Sequence, residues 1–267
     1  MIGTRLWRGL KERSILAPLL VGVWVWAGCR SDVARDVATV QVYAASSLTE
    51  VFEELAEAFE GEVSRARISL NLAGSQVLRM QIEQGAGADV FASANPVHMQ
   101  ALINGGRVQN ARVFAHNRLV LIVPPENPAG IESLRDLPRV TKLVIGTEEV
   151  PVGHYAREVL RQAERQFGGD FERQVLARVV SGENNVRLVR AKVELGEADA
   201  ALVYQTDLVS ARRVRSIPIS NEVNVRAEYT IGVVDRAENR PFAERWIEFI
   251  CSPMGQEILS RHGFEVS

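Results

Sequence analysis

From Thr39 onward, short β-branched runs alternate with segments whose apolar residues recur every three or four positions. That alternation is the strongest constraint on the fold. A period-two or continuous apolar run of four to eight residues suits a strand, and a three-to-four period over ten or more suits a helix. The reading places strands near 40–43, 67–72, 89–92, 119–123, 142–145, 178–180, 200–204, 214–219 and 227–234. Helices are expected at 49–60, 76–84, 97–103, 155–167, 186–195, 242–250 and 255–262. In the helix from 49, Val51, Phe52, Leu55, Ala56 and Phe59 form one apolar face. Strands and helices taken in turn imply an α/β fold with mainly parallel sheet. There are too many units for one sheet of ordinary size, so two mixed sheets flanked by helices, with a cleft between two lobes, are expected. Residues 119–125 and 222–229 are the expected crossovers. They give a first lobe of 39–121 plus 229–267 and a second lobe of 122–228.

The first 29 residues read as a separate export signal. Arg5, Arg8, Lys11 and Arg13 form a positive start, and an apolar run from Ser14 to Trp26 follows. That run is too short to span a bilayer comfortably. Ala27-Gly28-Cys29 then leads directly into polar Arg30-Ser31-Asp32. Small residues before a cysteine are similar to a bacterial lipoprotein cleavage site, with Cys29 as the lipidated residue; Trp26 departs from the usual aliphatic residue there. The mature domain is thus expected to be exported, either free in the periplasm or held at the outer side of the cytoplasmic membrane by lipid alone. With Cys29 lipidated, Cys251 has no disulfide partner, and it reads as a small buried hydrophobe in a helix.

Four helix starts follow strands: Ala45-Ser46-Ser47-Leu48, Ala73-Gly74-Ser75-Gln76, Val150-Pro151-Val152-Gly153, and Glu183-Asn184-Asn185-Val186. The first backbone N–H groups of a helix lack intrahelical partners and sit at the positive end of its dipole, so these starts suit an anion. They carry almost no fixed positive charge, which points to neutral donors. Each residue also has a plainer reading. Ser47 with Glu50 matches a capping box, Ser75 suits an N-cap, the Val186 side chain suits the core, and Tyr204 at a strand end suits packing with a wet hydroxyl. Pro151 and Gly153 around Val152 fit a helix start. The net charge of −2 argues against a nucleic-acid partner.

In combination these segments resemble the periplasmic molybdate-binding proteins of ABC transporters, members of the type II periplasmic-binding-protein superfamily. The likeness runs through Tyr43 to Thr49, Ala73-Gly74-Ser75, Gly85 to Ala94, Val150 to Ala156, Glu183 to Arg187 and Ala201 to Tyr204, and on to Gly263-Phe264-Glu265-Val266. It implies that Ser47, Ser75, Val152, Val186 and Tyr204 hold molybdate or tungstate. The serines would offer hydroxyl and backbone donors, the valines N–H groups, and Tyr204 its phenol. It implies no cofactor, a monomer, and delivery to a membrane permease driven by a cytoplasmic ATPase. Asn95 departs from the acidic residue usual at its place, which is expected to alter a turn. The doubled asparagine before Val186 shifts the local register of that donor, and His154 is expected to be a solvated histidine at a helix start.

Three other readings compete. Sulfate or thiosulfate would change only the ligand. A serine hydrolase would need Ser47 or Ser75 beside His154, but no Gly-x-Ser-x-Gly elbow is present and the four histidines are scattered, so no enzyme is expected. An ion-sensing regulator is disfavoured by the export signal and by the lack of a helix-turn-helix segment.

Overall fold

A computed structural model describes residues 37–266 of the chain. The export signal and Cys29 lie outside the described residues. Among the described residues eight strands follow one hydrogen-bonded path, β2-β1-β3-β9-β4-β7-β5-β6, and a ninth, β8, lies off it, paired to β4. The strands are β1 (Ala38–Ala45), β2 (Ala66–Ala73), β3 (Val90–Ser93), β4 (Val108–Val123), β5 (Leu143–Gly146), β6 (Val179–Glu183), β7 (Ala200–Tyr204), β8 (Arg215–Pro218) and β9 (Arg226–Val234). The helices are α1 (Thr49–Glu62), α2 (Ser75–Glu83), α3 (Pro96–Asn104), α4 (Pro151–Phe167), α5 (Phe171–Leu176), α6 (Val186–Glu194), α7 (Arg240–Ile250) and α8 (Pro253–Arg261).

Parallel pairing is confined to the flanks: β1 with β2 and β3 on one side, β5 with β6 and β7 on the other. The middle is antiparallel, because β9 pairs with β3 and β4, and β4 pairs with β7 and β8. The expectation of a mainly parallel sheet therefore holds at the flanks and gives way at the centre, where β4 and β9 carry the chain between the two halves. β4 is shared. Its residues up to Arg118 pair with β9, and from Leu119 onward it pairs with β7, with β8 beside it.

Most elements fall where the periodicity puts them. In α1, Val51, Phe52, Leu55, Ala56 and Phe59 are the buried face, as expected. Trp246 of α7 packs edge-on against Phe52 and Phe59, with ring centroids 5.8 and 5.3 Å away. Two elements escaped the pattern. The first half of β4 is rich in polar residues, and its register shifts at Gln109/Arg112 and Val113/Ala115 break strict alternation. Helix α5 is only six residues long, too short for a helical period to register. Asn95 serves a turn: its side chain caps α3 by accepting from the His98 N–H at 3.4 Å. Cys251 is half-buried at the end of α7 and packs against the core, and burial pushes its thiol up. Among the described residues no helix is long and apolar enough to cross a membrane.

Candidate functional site

The four helix starts converge. Ser47, Ser75, Val152, Val186 and Tyr204 all line one tight cavity of about 10 Å³, together with Ala45, Ser46, Ala73, Gly74, Ala94, Val150, Pro151 and Asn185. The first three strands contribute one wall and β5 to β7 the other, so residues far apart in sequence meet only here. No charged side chain among the described residues lines the cavity. Among the described residues no group of three or more His, Cys, Asp or Glu side chains is placed to hold a metal cation.

Each start is built differently. After β1 a 3-10 turn, Ser46–Leu48, leads into α1. The capping box expected of Ser47 is absent, because α1 has no side-chain cap and its Glu50 turns outward to accept from Arg187 Nη1 at 2.6 Å. Ser47 Oγ instead accepts from the Tyr229 hydroxyl at 2.9 Å. Ser75 is not an N-cap either. It is the first residue of α2, behind Gly74, and its Oγ accepts from the Ala94 N–H at 3.2 Å. Both hydroxyls are thus held by donors from the protein.

On the opposite wall the donors are backbone. Val152 is the second residue of α4, after Pro151, and Val186 is the first of α6. N–H groups at those positions have no partner within the helix. Asn185 caps α6 by accepting from the Leu188 N–H at 3.0 Å, which fixes the register of Val186 despite the doubled asparagine. The Val186 side chain is buried, as expected. Gly153 lets α4 lie against β5, since a Cβ there would overlap the carbonyl oxygens of Thr147 and Gly146. Tyr204 ends β7 with 1% exposure, and its hydroxyl, beside the Tyr229 phenol, makes no well-formed hydrogen bond among the described residues. A buried orphan of that kind is uncommon and calls for an explanation. Burial raises the Tyr204 phenol well above its ordinary pKa, so the hydroxyl keeps its proton and remains a donor. Its backbone N–H is held by the Asp207 carboxyl at 2.9 Å, and burial pushes that carboxyl up to about 7.

The two walls touch around the rim. Gln76 Nε2 donates to the Asn184 carbonyl at 2.7 Å, and the His98 Nε2 lies 2.8 Å from the Glu149 carbonyl. Gly74 approaches Asn184 so closely that a Cβ would collide with its carbonyl oxygen. His154 is half-buried beside the Tyr155 ring and does not line the cavity. Tyr229 and Asn117, which stand behind Ser47, were missed in the sequence. The available signal was the position of Tyr229 on the inward face of β9, where a buried phenol needs a polar partner.

Comparison with known proteins identifies the family and the fold. The family described as bacterial extracellular solute-binding proteins matches residues 40–265. A Mycobacterium tuberculosis H37Rv protein named molybdate-binding protein ModA is 31% identical over 267 residues, covering 97% of this chain and 98% of that protein. The Escherichia coli K12 protein of the same name is 27% identical over 258 residues, covering 93% and 97%. The Azotobacter vinelandii periplasmic molybdate-binding protein superposes with a TM-score of 0.72 at 19% identity, covering 85% of this chain and 99% of that one. The sulfate-binding protein SubI of Mycobacterium tuberculosis superposes with a TM-score of 0.77 at 14% identity, covering 86% and 87%. At such identities the superpositions speak for the fold alone, that of the two-lobed periplasmic binding proteins. With its fold, its neutral cavity and a match along nearly all of the described chain, this protein belongs to the bacterial extracellular solute-binding proteins, in the group that includes the periplasmic molybdate-binding proteins of ABC transporters.

Proposed function

We propose that this chain is an extracytoplasmic receptor that captures molybdate, and tungstate equally well, and delivers it to an ABC permease. The carrying observation is the buried Tyr204 hydroxyl, which makes no well-formed hydrogen bond in a cavity lined, among the described residues, by no charged side chain. Molybdate near neutral pH offers four oxygens that all accept, so a donor-only wall matches it on every side. Hydrogen phosphate brings a proton into a site whose serine oxygens already accept from Tyr229 and from the Ala94 N–H. Leaving a buried polar group unpaired costs about 1–3 kcal/mol, so phosphate binds at least about tenfold more weakly. Helix dipoles and closure around the ion supply the compensating potential in place of lysine or arginine. Tungstate has nearly the size and shape of molybdate and is not discriminated.

In this reading the lobes are 39–121 plus 229–267 and 122–228, closing about the crossovers, and the protein works as a monomer. The signal exports it, and Cys29 carries the lipid that holds it at the membrane. Relatives named for molybdate binding support the ligand. Binding is favoured over hydrolysis because Ser47 and Ser75 hydrogen-bond to Tyr229 and to the Ala94 N–H, with no histidine as partner among the described residues.

Calorimetric titration of the purified domain tests the reading. Molybdate and tungstate are expected to bind tightly, with sulfate, thiosulfate and phosphate far behind. Tyr204→Phe and Ser47→Ala are each expected to weaken molybdate by about 1.5–3 kcal/mol, the contribution of a hydrogen bond to an ionised group. Unchanged affinity in both variants overturns the assignment.

A further inference from the structure

Behind Ser47 runs a chain of polar groups with a defined direction. The Arg118 N–H donates to Asn117 Oδ1 at 2.9 Å, which settles the orientation of that buried amide. Its Nδ2 then donates to Thr206 Oγ1 at 2.7 Å and, over a longer 3.5 Å, to the Tyr229 hydroxyl. An amide NH₂ can only donate, so the Tyr229 oxygen is the acceptor of that pair. Its own proton goes to Ser47 Oγ at 2.9 Å. A serine hydroxyl has one proton and two lone pairs; with Tyr229 donating to one lone pair, the Ser47 proton and the remaining lone pair lie away from Tyr229, on the side of the cavity that Ser47 lines. All the side chains from Asn117 to Ser47 are buried, so water does not scramble the direction.

We propose that Tyr229, backed by Asn117, is a positioning residue that occupies one acceptor site of Ser47, biases its hydroxyl toward donating into the cavity, and thereby favours oxyanions that carry no proton. The proposal rests on the reading of the cavity as an oxyanion site and adds residues that do not line it. Ser75 is held in the same sense by a backbone N–H, which no side-chain substitution removes. Tyr229 is therefore the point at which the polarity of the site is open to change. Burial raises the phenol of Tyr229 well above its ordinary pKa, so it keeps the proton it donates. Asn117 also lies one residue before β4 changes partners, so the chain of donors joins the crossover to the ligand wall.

Without the Tyr229 hydroxyl, both lone pairs of Ser47 are free and the bias toward donation is lost, so it accepts more readily from a protonated anion. The test is calorimetric titration of wild type, Tyr229→Phe, Asn117→Leu and Ser47→Ala/Tyr229→Phe with molybdate, sulfate and phosphate at neutral pH. Tyr229→Phe keeps the ring that packs edge-on to Phe114, Tyr204 and Phe264. Its molybdate-to-phosphate affinity ratio is expected to fall about tenfold, the worth of one hydrogen bond. Asn117→Leu, which removes the upstream donor together with the bonds of Asn117 to Thr206 and the Arg118 N–H, is expected to shift the ratio the same way by less and stands in if the first variant does not fold. On a Ser47→Ala background the Tyr229 substitution is expected to leave the ratio alone. A merely structural role weakens every anion alike, so an unchanged ratio in Tyr229→Phe overturns the proposal while the molybdate reading stands. If wild type prefers sulfate to molybdate, the molybdate reading falls and the sulfate-to-phosphate ratio judges Tyr229 by the same criterion. If wild type binds none of these anions, both fall.

Discussion

The two walls of the cavity reach the same chemistry by different routes. The wall after β1 and β2 uses serine hydroxyls, each held by an internal donor: Ser47 by Tyr229 and Ser75 by the Ala94 N–H. The wall after β5 and β6 uses backbone N–H groups at Val152 and Val186, whose side chains are buried core. A hydroxyl donor is vulnerable to one substitution and depends on groups behind it. A backbone donor is indifferent to its own side chain but depends on how tightly the helix start is packed. The first wall is therefore tuned by hydrogen bonds and the second by sterics.

The largest expected effect attacks the sterics. Gly153→Ala forces a methyl group into the carbonyls of Gly146 and Thr147, so α4 must move away from β5. Overpacking of a rigid backbone contact is expected to lower stability by about 3 kcal/mol, with loss of molybdate binding. A urea melt close to that of wild type would show that the second wall is not packed as tightly as described. Next come Ser47→Ala and Tyr204→Phe, at about 1.5–3 kcal/mol of binding each with little change in stability, measured by titration beside thermal melts. Gly74→Ala sharpens the comparison, because its methyl group meets the Asn184 carbonyl across the rim rather than within one wall. It is expected to weaken molybdate about tenfold, by obstructing closure, with an unchanged melting temperature. The smallest effect is expected for Asn185→Ala. Loss of the α6 cap is worth about 1 kcal/mol of stability and disturbs the Val186 N–H only through fraying. A Gly74→Ala protein that binds normally, or an Asn185→Ala protein as damaged as Gly153→Ala, would break the division between the walls.

Much of the fold was legible because each flank of the sheet is made of short local units whose periods are strong. The helix of Val51, Phe52, Leu55, Ala56 and Phe59 buries the face its spacing assigns. The first half of β4 was not legible, since its outward polar residues and bulges erase alternation, and its role in joining the halves depends on a partner, β9, that lies more than a hundred residues on. Ser47 and Ser75 show the limit at residue level. Local pattern assigned both to capping, yet in the fold neither caps its helix, because a distant phenol and a neighbouring loop N–H are better placed to engage them. Asn185, whose partner is three residues away, behaves as its local pattern says.

The amino-acid sequence by itself determined the alternating elements, the four donor-rich helix starts and the near absence of positive charge among them, since these follow from local periodicity and residue chemistry. Only the tertiary structure decided that the four starts surround one cavity, that the Tyr204 hydroxyl is buried without a well-formed hydrogen bond, and that Tyr229 stands behind Ser47. Hydrogen-bond polarity and orphaned groups are properties of contacts between residues that may lie far apart along the chain, as Ser47 and Tyr229 do, so no reading of neighbours in sequence contains them.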